Sequence, residues 1–331
     1  MNSQKNRLST YSYLTAALAL LASGAYLFAY LTAYDKDAGY YARGAIFPVL
    51  LIVALVLTAL LALSALVVFR KDALTPESEE ALCLPSTLEQ ILGGITALSF
   101  FLIFLKHLHF YYIQQYLPVT KLVLLTLCGL LASALFYLGL YTSPKMRVSN
   151  PTILLGYAAL IYPVSVIITS YSDFYTPMNH PAKVMLEMAS VVMILFLLVE
   201  LRLLISATRV SFYIASAILS VGVLSPVALF GYFYPLLSEK STLLYRSYCI
   251  LCVPTLMYVL ARTVRFMQLL KHPPVKEDEP EESTAEKKNT EALAEEQETD
   301  ESAPAEDESQ TPFSEIEAAS SDNKESESET V

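Results

Sequence analysis

Long apolar runs are the feature that most limits how this chain can fold. The run over residues 44–69 is followed by Arg70 and Lys71, and about twenty apolar residues are enough to cross a hydrocarbon core of ~30 Å. In lipid a helix pairs all its backbone N–H and C=O groups internally. The runs also lack the alternation of apolar and polar residues that is typical of membrane strands. The sequence therefore predicts an all-α fold, a polytopic transmembrane helical bundle.

Eight such runs divide residues 1–272, which we predict to form one transmembrane domain. The predicted spans are residues 11–34, 44–69, 88–116, 122–141, 151–170, 182–205, 210–237 and 243–261. Between the second and third spans, Thr75 and Pro76 precede several glutamates, which predicts a short helix in a cytoplasmic connector. Ser86 and Glu89 have the spacing of a capping box, so the third helix is expected to start there.

Charge divides the chain at about residue 273. Residues 273–331 hold 21 acidic residues and four lysines, a net charge of −17, whereas the whole chain carries −10. Residues 1–272 are therefore basic overall. The segment 273–331 has few large apolar residues and cannot bury enough surface to offset its ordering entropy. We predict an acidic, disordered cytoplasmic tail whose charge suits a basic protein partner.

Lysines and arginines near the ends of the runs predict the side on which each loop lies. One side collects Lys5, Arg7, Arg70, Lys71, Lys145, Arg147, Arg202, Arg209, Arg262, Arg265 and Lys271, and the other has Lys36, Arg43, Lys121, Lys183, Lys240 and Arg246. The richer side is predicted to be cytoplasmic, with both termini inside, as an even number of spans requires. Glu200 is expected at that interface. Because the bases are scattered singly or in pairs, the expected partner is the lipid bilayer and not nucleic acid.

Charged residues inside the spans are candidate sites, since each costs roughly 2.5 to 3.5 kcal/mol at the centre of a membrane helix. Glu187 lies about 8 Å inside the outer end of its span, and its short side chain needs a partner. Lys183 is the local candidate, and Lys106 and Arg246 lie at comparable depth on other spans. Two interpretations remain for Glu187: a structural ion pair, or part of a substrate or proton path for which Lys106 and Arg246 are the other candidates. For Lys106 the ordinary interpretation is a long side chain that extends to water at the outer boundary.

The histidines and cysteines are candidates for two further kinds of site, a zinc site and a dithiol site. His107 and His109 lie two apart, on roughly opposite faces of a predicted helix, so together with His180 they match no zinc-ligand spacing. Cys249 and Cys252 have the Cys-x-x-Cys spacing of dithiol exchange, but they fall inside a span, where small packing residues are the ordinary interpretation. We therefore predict no metal and no cofactor.

Tyrosines gather at the predicted outer turns. They are Tyr40, Tyr41, Tyr111, Tyr112, Tyr116, Tyr171, Tyr175, Tyr232, Tyr234, Tyr245 and Tyr248. An aromatic belt at the membrane interface explains them, and the alternative is an outer vestibule whose phenols bind a sugar, a peptide or a lipid headgroup. Pro163, Pro226 and Pro254 interrupt spans, as prolines do in transporters that use the freed carbonyls for binding. Prolines are also common in membrane helices that have no transport role.

The first predicted outer turn has the sequence Tyr34-Asp35-Lys36-Asp37-Ala38-Gly39-Tyr40-Tyr41-Ala42-Arg43-Gly44. It resembles a turn found in uncharacterised multi-spanning membrane proteins of clostridial bacteria. The resemblance covers chiefly the first hairpin. It implies a bacterial cytoplasmic membrane as the location, and it implies no activity.

Three classes of function fit these patterns to different degrees. A small-molecule transporter or permease component is favoured by the number of spans, the interrupted helices and Glu187. A noncatalytic sensor, scaffold or assembly factor acting through the acidic tail is the alternative. An enzyme is disfavoured, because the sequence has no His-Glu-x-x-His, no Gly-x-Ser-x-Gly and no Gly-x-x-x-x-Gly-Lys motif.

Overall fold

The computed structural model describes residues 2–35, 40–83, 86–114, 150–171, 180–204, 209–237 and 243–273. The predicted fourth span, residues 122–141, lies outside the described residues, and so does the acidic segment from residue 274 onward. The chain divides into two units, Met1–Lys276 and Glu277–Val331, and the described residues all belong to the first.

The described residues are mostly helical, which confirms the predicted all-α class. The helices are α1 Asn2–Ala33, α2 Ile46–Val68, α3 Pro76–Cys83, α4 Thr87–Gln114, α5 Asn150–Tyr171, α6 Pro181–Leu204, α7 Val210–Leu237 and α8 Leu243–Lys271. Two short antiparallel strands, β1 Tyr34–Asp35 and β2 Tyr40–Tyr41, pair in the turn between α1 and α2. Gly44 ends that turn with φ of 81°, a left-handed conformation that favours glycine.

The helix starts follow the local signals of the sequence. The Thr75 hydroxyl accepts the Ser78 backbone N–H at 3.2 Å at the start of α3. Ser86 and Glu89 exchange the two hydrogen bonds of a capping box at the start of α4. The first and last helices extend past their apolar runs, to Asn2 and to Lys271. Helical hydrogen bonding continues through these charged turns, because it does not depend on a lipid environment.

Helix α7 lies at the centre of the described bundle and contacts α1, α2, α6 and α8, while α5 packs on α6 and α4 on α8. In its most apolar stretch, 78% of the residues of α7 are buried, against 22% for α2. Small residues allow close approach, as is usual for helices that pack in membranes. Those buried on α2 are Ala54, Thr58, Ala62 and Ala65. Helix α2 is therefore a peripheral helix with one packed face and one apolar exposed face.

The helix ends meet in two groups. At the arginine end, Arg262 of α8 contacts Glu89 of α4 and Glu200 of α6. At the histidine end, the His180 ring that precedes α6 contacts Tyr34, which follows α1. Helices α1, α4, α5 and α7 run from the arginine end to the histidine end, and α2, α6 and α8 run back.

Candidate functional site: a buried arginine–glutamate cluster

Arg262 lies at the centre of a cluster of charged side chains buried at the arginine end. Its Nη2 and Nε atoms donate to the two carboxylate oxygens of Glu200 at 2.8 and 3.2 Å, the two-pronged geometry that suits a guanidinium. Both side chains are almost completely buried. A charge this deep is tolerated only when it is paired, so α6 and α8 are held together at this point.

Glu89 completes the cluster from the first turn of α4. Its Oε1 accepts Nη1 of Arg262 at 3.3 Å, and its Oε2 accepts Nη1 of Arg265 in a short contact. The same Oε2 accepts the backbone N–H of Ser86 at 2.8 Å, so the capping box and the ion pairs share one carboxylate. The negative charge also lies where the α4 dipole favours it. We refer to Glu89, Glu200, Arg262 and Arg265 as the arginine–glutamate cluster.

The two arginines also bind the end of α3. Nη1 of Arg262 donates to the carbonyl oxygen of Leu82 at 3.0 Å, and Nη2 of Arg265 donates to that of Ala81 at 2.7 Å. The last carbonyls of a helix have no partner within the helix and carry partial negative charge. The guanidinium groups therefore fix the short helix α3 against α8.

An aromatic layer encloses one side of the cluster. The Tyr213 hydroxyl, from α7, donates to Oε1 of Glu200 at 2.6 Å. Its ring stacks on Phe266 of α8 with 3.9 Å between centroids. Tyr213 and Phe266 are both fully buried, so the Glu200 carboxylate is removed from water.

The arginine–glutamate cluster has the arrangement of a structural joint between helices. Two carboxylates face two guanidinium groups, so its formal charge is balanced, and each charged side chain has at least one partner of opposite sign. A network of this kind, buried and fully connected, holds its members rigidly. It joins α3, α4, α6, α7 and α8 at one end of the bundle.

Sequence reasoning missed this joint. Glu200 was expected at the cytoplasmic interface, and the sequence did not indicate that it is packed among other helices, with only 5% of its surface exposed. Arg262 and Arg265 served only as indicators of the cytoplasmic side. The available signal was their spacing of three residues, which places two guanidinium groups on one helix face. Their pairing with Glu89 and Glu200 depends on which helices are neighbours, and a single sequence does not supply that information.

Of the predicted substrate-path residues, the structure describes the surroundings of Glu187 alone. Its Oε1 accepts the hydroxyl of Ser170 at 2.8 Å, a contact between α5 and α6, and its side chain is half-buried. The side chains of Lys106 and Arg246 lie outside the described part of the structure. Helices α4 and α8 are antiparallel, with Thr96 bonded to the carbonyl of Pro254, so positions 106 and 246 lie at similar heights near the histidine end. Whether the three side chains converge remains a prediction.

The histidine end has an aromatic group formed by Tyr30, Tyr34, Tyr41 and His180. Tyr34 stacks on Tyr30 with 4.6 Å between centroids, and its hydroxyl lies 2.7 Å from Nε2 of His180. Nδ1 of His180 accepts the backbone N–H of Ala182 at 3.2 Å. Nδ1 therefore carries a lone pair, and the neutral ring donates from Nε2 to the tyrosine. Burial raises the pKa of the Tyr41 hydroxyl above its usual range, so this phenol is neutral at physiological pH.

The tyrosines of the predicted outer side do not share one environment. Tyr30 is buried against Tyr34, whereas Tyr40 and Tyr171 are exposed. Tyr41 is half-buried, and the other tyrosines predicted on that side fall partly or wholly outside the described residues. Within the described residues, no three His, Cys, Asp or Glu side chains group so as to hold a metal ion.

A shallow cleft lies between α5, α6 and α8 beside Pro163. It is small, and its walls include Tyr162, Ser190 and Cys252. Glu187 follows the wall residue Leu186 directly in sequence. The lining is mainly apolar, with Met193, Val166 and Leu251 among its members.

The length and apolar character of the described helices indicate the class of this protein. Four described helical stretches are long and apolar enough to cross a membrane: Asn6–Ala33, Ile46–Val68, Pro181–Leu203 and Val210–Leu229. This set is compatible with an integral membrane protein. Comparisons with protein-family models, with curated proteins and with solved structures gave no match to this chain.

Proposed function

We propose that this chain is a multi-spanning membrane protein whose helical bundle is a noncatalytic anchor for its acidic C-terminal segment. The observation that supports this proposal is the arginine–glutamate cluster. It fixes α8, the helix that leads into the acidic segment, to α3, α4 and α6. An anchor needs its last helix to be held firmly within the membrane part.

The charge arrangement favours anchoring over chemistry. The four charged side chains of the cluster satisfy one another, so none of them is left to bind a substrate or move a proton. Removing any one of the four side chains would leave the cluster with an uncompensated charge, so the complete set stabilises a single arrangement of this end of the bundle.

The acidic segment is proposed to act on a basic protein partner in the cytoplasm. With 21 acidic residues and four lysines in residues 273–331, it is repelled by anionic lipid and attracted by basic surfaces. The excess of Lys and Arg at the arginine end supports a cytoplasmic position for that end and for both termini. A bacterial cytoplasmic membrane is proposed on the resemblance of the first outer turn.

The experiment compares the natural chain with a variant in which every Asp and Glu of residues 277–331 is replaced by Asn or Gln. A proximity-labelling enzyme is attached at the C-terminus of both chains in a bacterial host. We expect the natural chain to label basic proteins that the neutral variant, inserted to the same level in the membrane, does not label. Identical labelling by the two chains would contradict a role for the acidic segment.

A second candidate function, a small-molecule transporter or permease component, is favoured by one observation. The carboxylate of Glu187 is half-buried and accepts a hydrogen bond from Ser170, and Leu186, its neighbour in sequence, lines the cleft beside Pro163. The expected interruption at Pro163 is not seen, since α5 continues as a helix through this residue. A half-buried carboxylate inside an apolar helix suits a site for a cation or a proton.

Cysteine labelling separates the two candidates. In a chain whose four natural cysteines are replaced by serine, Leu186→Cys and Ser190→Cys place thiols in the wall of the cleft. A transporter requires water in the cleft, so a membrane-impermeant thiol reagent should react with both. An anchor should leave both unlabelled. Tyr171→Cys, at a position with 64% of its surface exposed, is the positive control.

A further inference from the structure

One face of α2 combines an exposed apolar strip with a basic end. Val56, Leu60, Leu63 and Val67 follow one another at intervals of three or four residues, and all four are exposed. This spacing places them on one helix face. The strip is about 16 Å long, close to half of a ~30 Å hydrocarbon core and therefore to the depth of one leaflet.

Three cations lie where the strip ends. Arg70 and Lys71 come three and four residues after Val67, in the turn that continues α2, and both are exposed. Arg7 of α1 donates from Nη1 to the carbonyl oxygen of Val68 at 3.3 Å, which holds its exposed guanidinium at the same helix end.

The neighbouring acid does not cancel this charge on the exposed face. Asp72 is only half-buried as a residue, but its Oδ2 atom is buried. Even with its full negative charge, Asp72 leaves a net charge of +2 beside Arg7, Arg70 and Lys71. The acidic helix α3 is bound at its end to Arg262 and Arg265 of α8, whereas α2 packs on α1 and α7. The face formed by the strip and the three cations therefore has a net positive end.

We propose that this face binds one anionic phospholipid of the leaflet at the arginine end. The acyl chain lies along Val56, Leu60, Leu63 and Val67, and the phosphate lies between Arg7, Arg70 and Lys71. Guanidinium groups suit phosphate because their donors match its oxygens. A zwitterionic headgroup also brings a phosphate, but its own cation opposes the three basic side chains. The inference rests on the proposed membrane placement of α2 and adds the lipid class that this helix selects.

The chain contains no tryptophan, which makes a single introduced indole a clean reporter. Leu63→Trp places it in the strip, at a position that is 59% exposed. The full-length variant is reconstituted into bilayers of phosphatidylcholine and phosphatidylglycerol in which one lipid or the other carries brominated acyl chains. Quenching of the indole then gives the relative occupancy of the site by each lipid. We expect about a three- to tenfold preference for phosphatidylglycerol, because each basic residue adds its own attraction near the surface.

Two double substitutions with the same change of charge test whether the preference is local. Arg70→Gln with Lys71→Gln should bring the preference close to one. Arg202→Gln with Arg209→Gln, two exposed bases at the same end but on α6 and beside α7, should leave it unchanged. Equal quenching by both lipids in the parent chain, or an equal loss in both double variants, would overturn the site. If neither lipid quenches the indole, the membrane placement of α2 is wrong, which is a separate failure.

Discussion

Gly222 lies on α7 against Thr58 of α2 in the described bundle. A Cβ atom at position 222 would overlap Cγ2 of Thr58 and would lie 3.1 Å from its Oγ1. Because threonine is branched at Cβ and stiff, it cannot easily move aside. Gly222→Ala should therefore lower the free energy of unfolding by about 1–3 kcal/mol, as overpacking does elsewhere. The unfolding midpoint of the purified protein in detergent measures the change.

Two variants control this prediction. Gly94→Ala on α4 meets no atom within 4 Å, so it should be neutral or stabilise by roughly 0.5–1 kcal/mol through helix propensity. Adding Thr58→Ala to Gly222→Ala removes the overlapping methyl group and should restore most of the lost stability. If Gly222→Ala and Gly94→Ala behave alike, α2 and α7 do not approach as closely as described.

The arginine–glutamate cluster gives a second prediction at the scale of single residues. Arg262→Leu leaves Glu200 buried without its cation and should cost about 3–5 kcal/mol of unfolding free energy. Adding Glu200→Leu leaves Glu89 paired with Arg265, so the remaining charges balance. The double variant should be more stable than Arg262→Leu alone, although Tyr213 loses its acceptor.

A double-mutant cycle measures this coupling between Arg262 and Glu200. Arg202→Leu is the matched control, because Arg202 is an exposed arginine two residues from Glu200 and its loss should change stability by no more than about 0.5 kcal/mol. Simple additivity of Arg262→Leu and Glu200→Leu would show that the described ion pair is not formed in the protein.

At the scale of helices, the start of α6 depends on His180. Its Nδ1 accepts the N–H of Ala182, so the ring acts as the N-cap, while Nε2 binds Tyr34 from the end of α1. His180→Ala removes both bonds and should cost about 1–2 kcal/mol. His180→Asn can still cap the helix and should recover part of that loss. Tyr34→Phe removes only the hydrogen bond between Tyr34 and His180. Its loss of stability should equal the loss that remains in His180→Asn, and thermal unfolding measures both.

The sequence was enough to predict the helix caps but not the arginine–glutamate cluster. Ser86 with Glu89, and Thr75 with Pro76, predicted the starts of α4 and α3, because a helix cap involves residues only a few positions apart. The apolar runs predicted the long helices for a similar reason. The bonds from Arg262 to Glu89 and Glu200 join residues 173 and 62 positions apart, and the contact of Gly222 with Thr58 is equally remote. Such contacts depend on which helices pack against each other, and a single sequence does not give that information.

At the scale of the whole helical unit, the directions of the helices limit how residues 115–149 can connect α4 to α5. Helix α4 starts at the arginine end, where Glu89 meets Arg262, so Gln114 lies towards the histidine end. Helix α5 finishes at the histidine end, where Ser170 meets Glu187, so Asn150 lies towards the arginine end. Residues 115–149 therefore join two points at opposite ends of the bundle, as the predicted span 122–141 requires.

Labelling from each side of the membrane tests this topology. In the full-length chain with its four natural cysteines replaced by serine, Gln114→Cys and Asn150→Cys mark the two ends that residues 115–149 must join. An impermeant thiol reagent added outside intact cells should reach the first and not the second, and disruption of the membrane should expose both. Arg70→Cys, also at the arginine end, should behave like Asn150→Cys, and Tyr171→Cys should behave like Gln114→Cys. Labelling of both junction positions from the same side would mean that the chain does not cross between them. The number of crossings would then be odd, and the two termini would lie on opposite sides of the membrane.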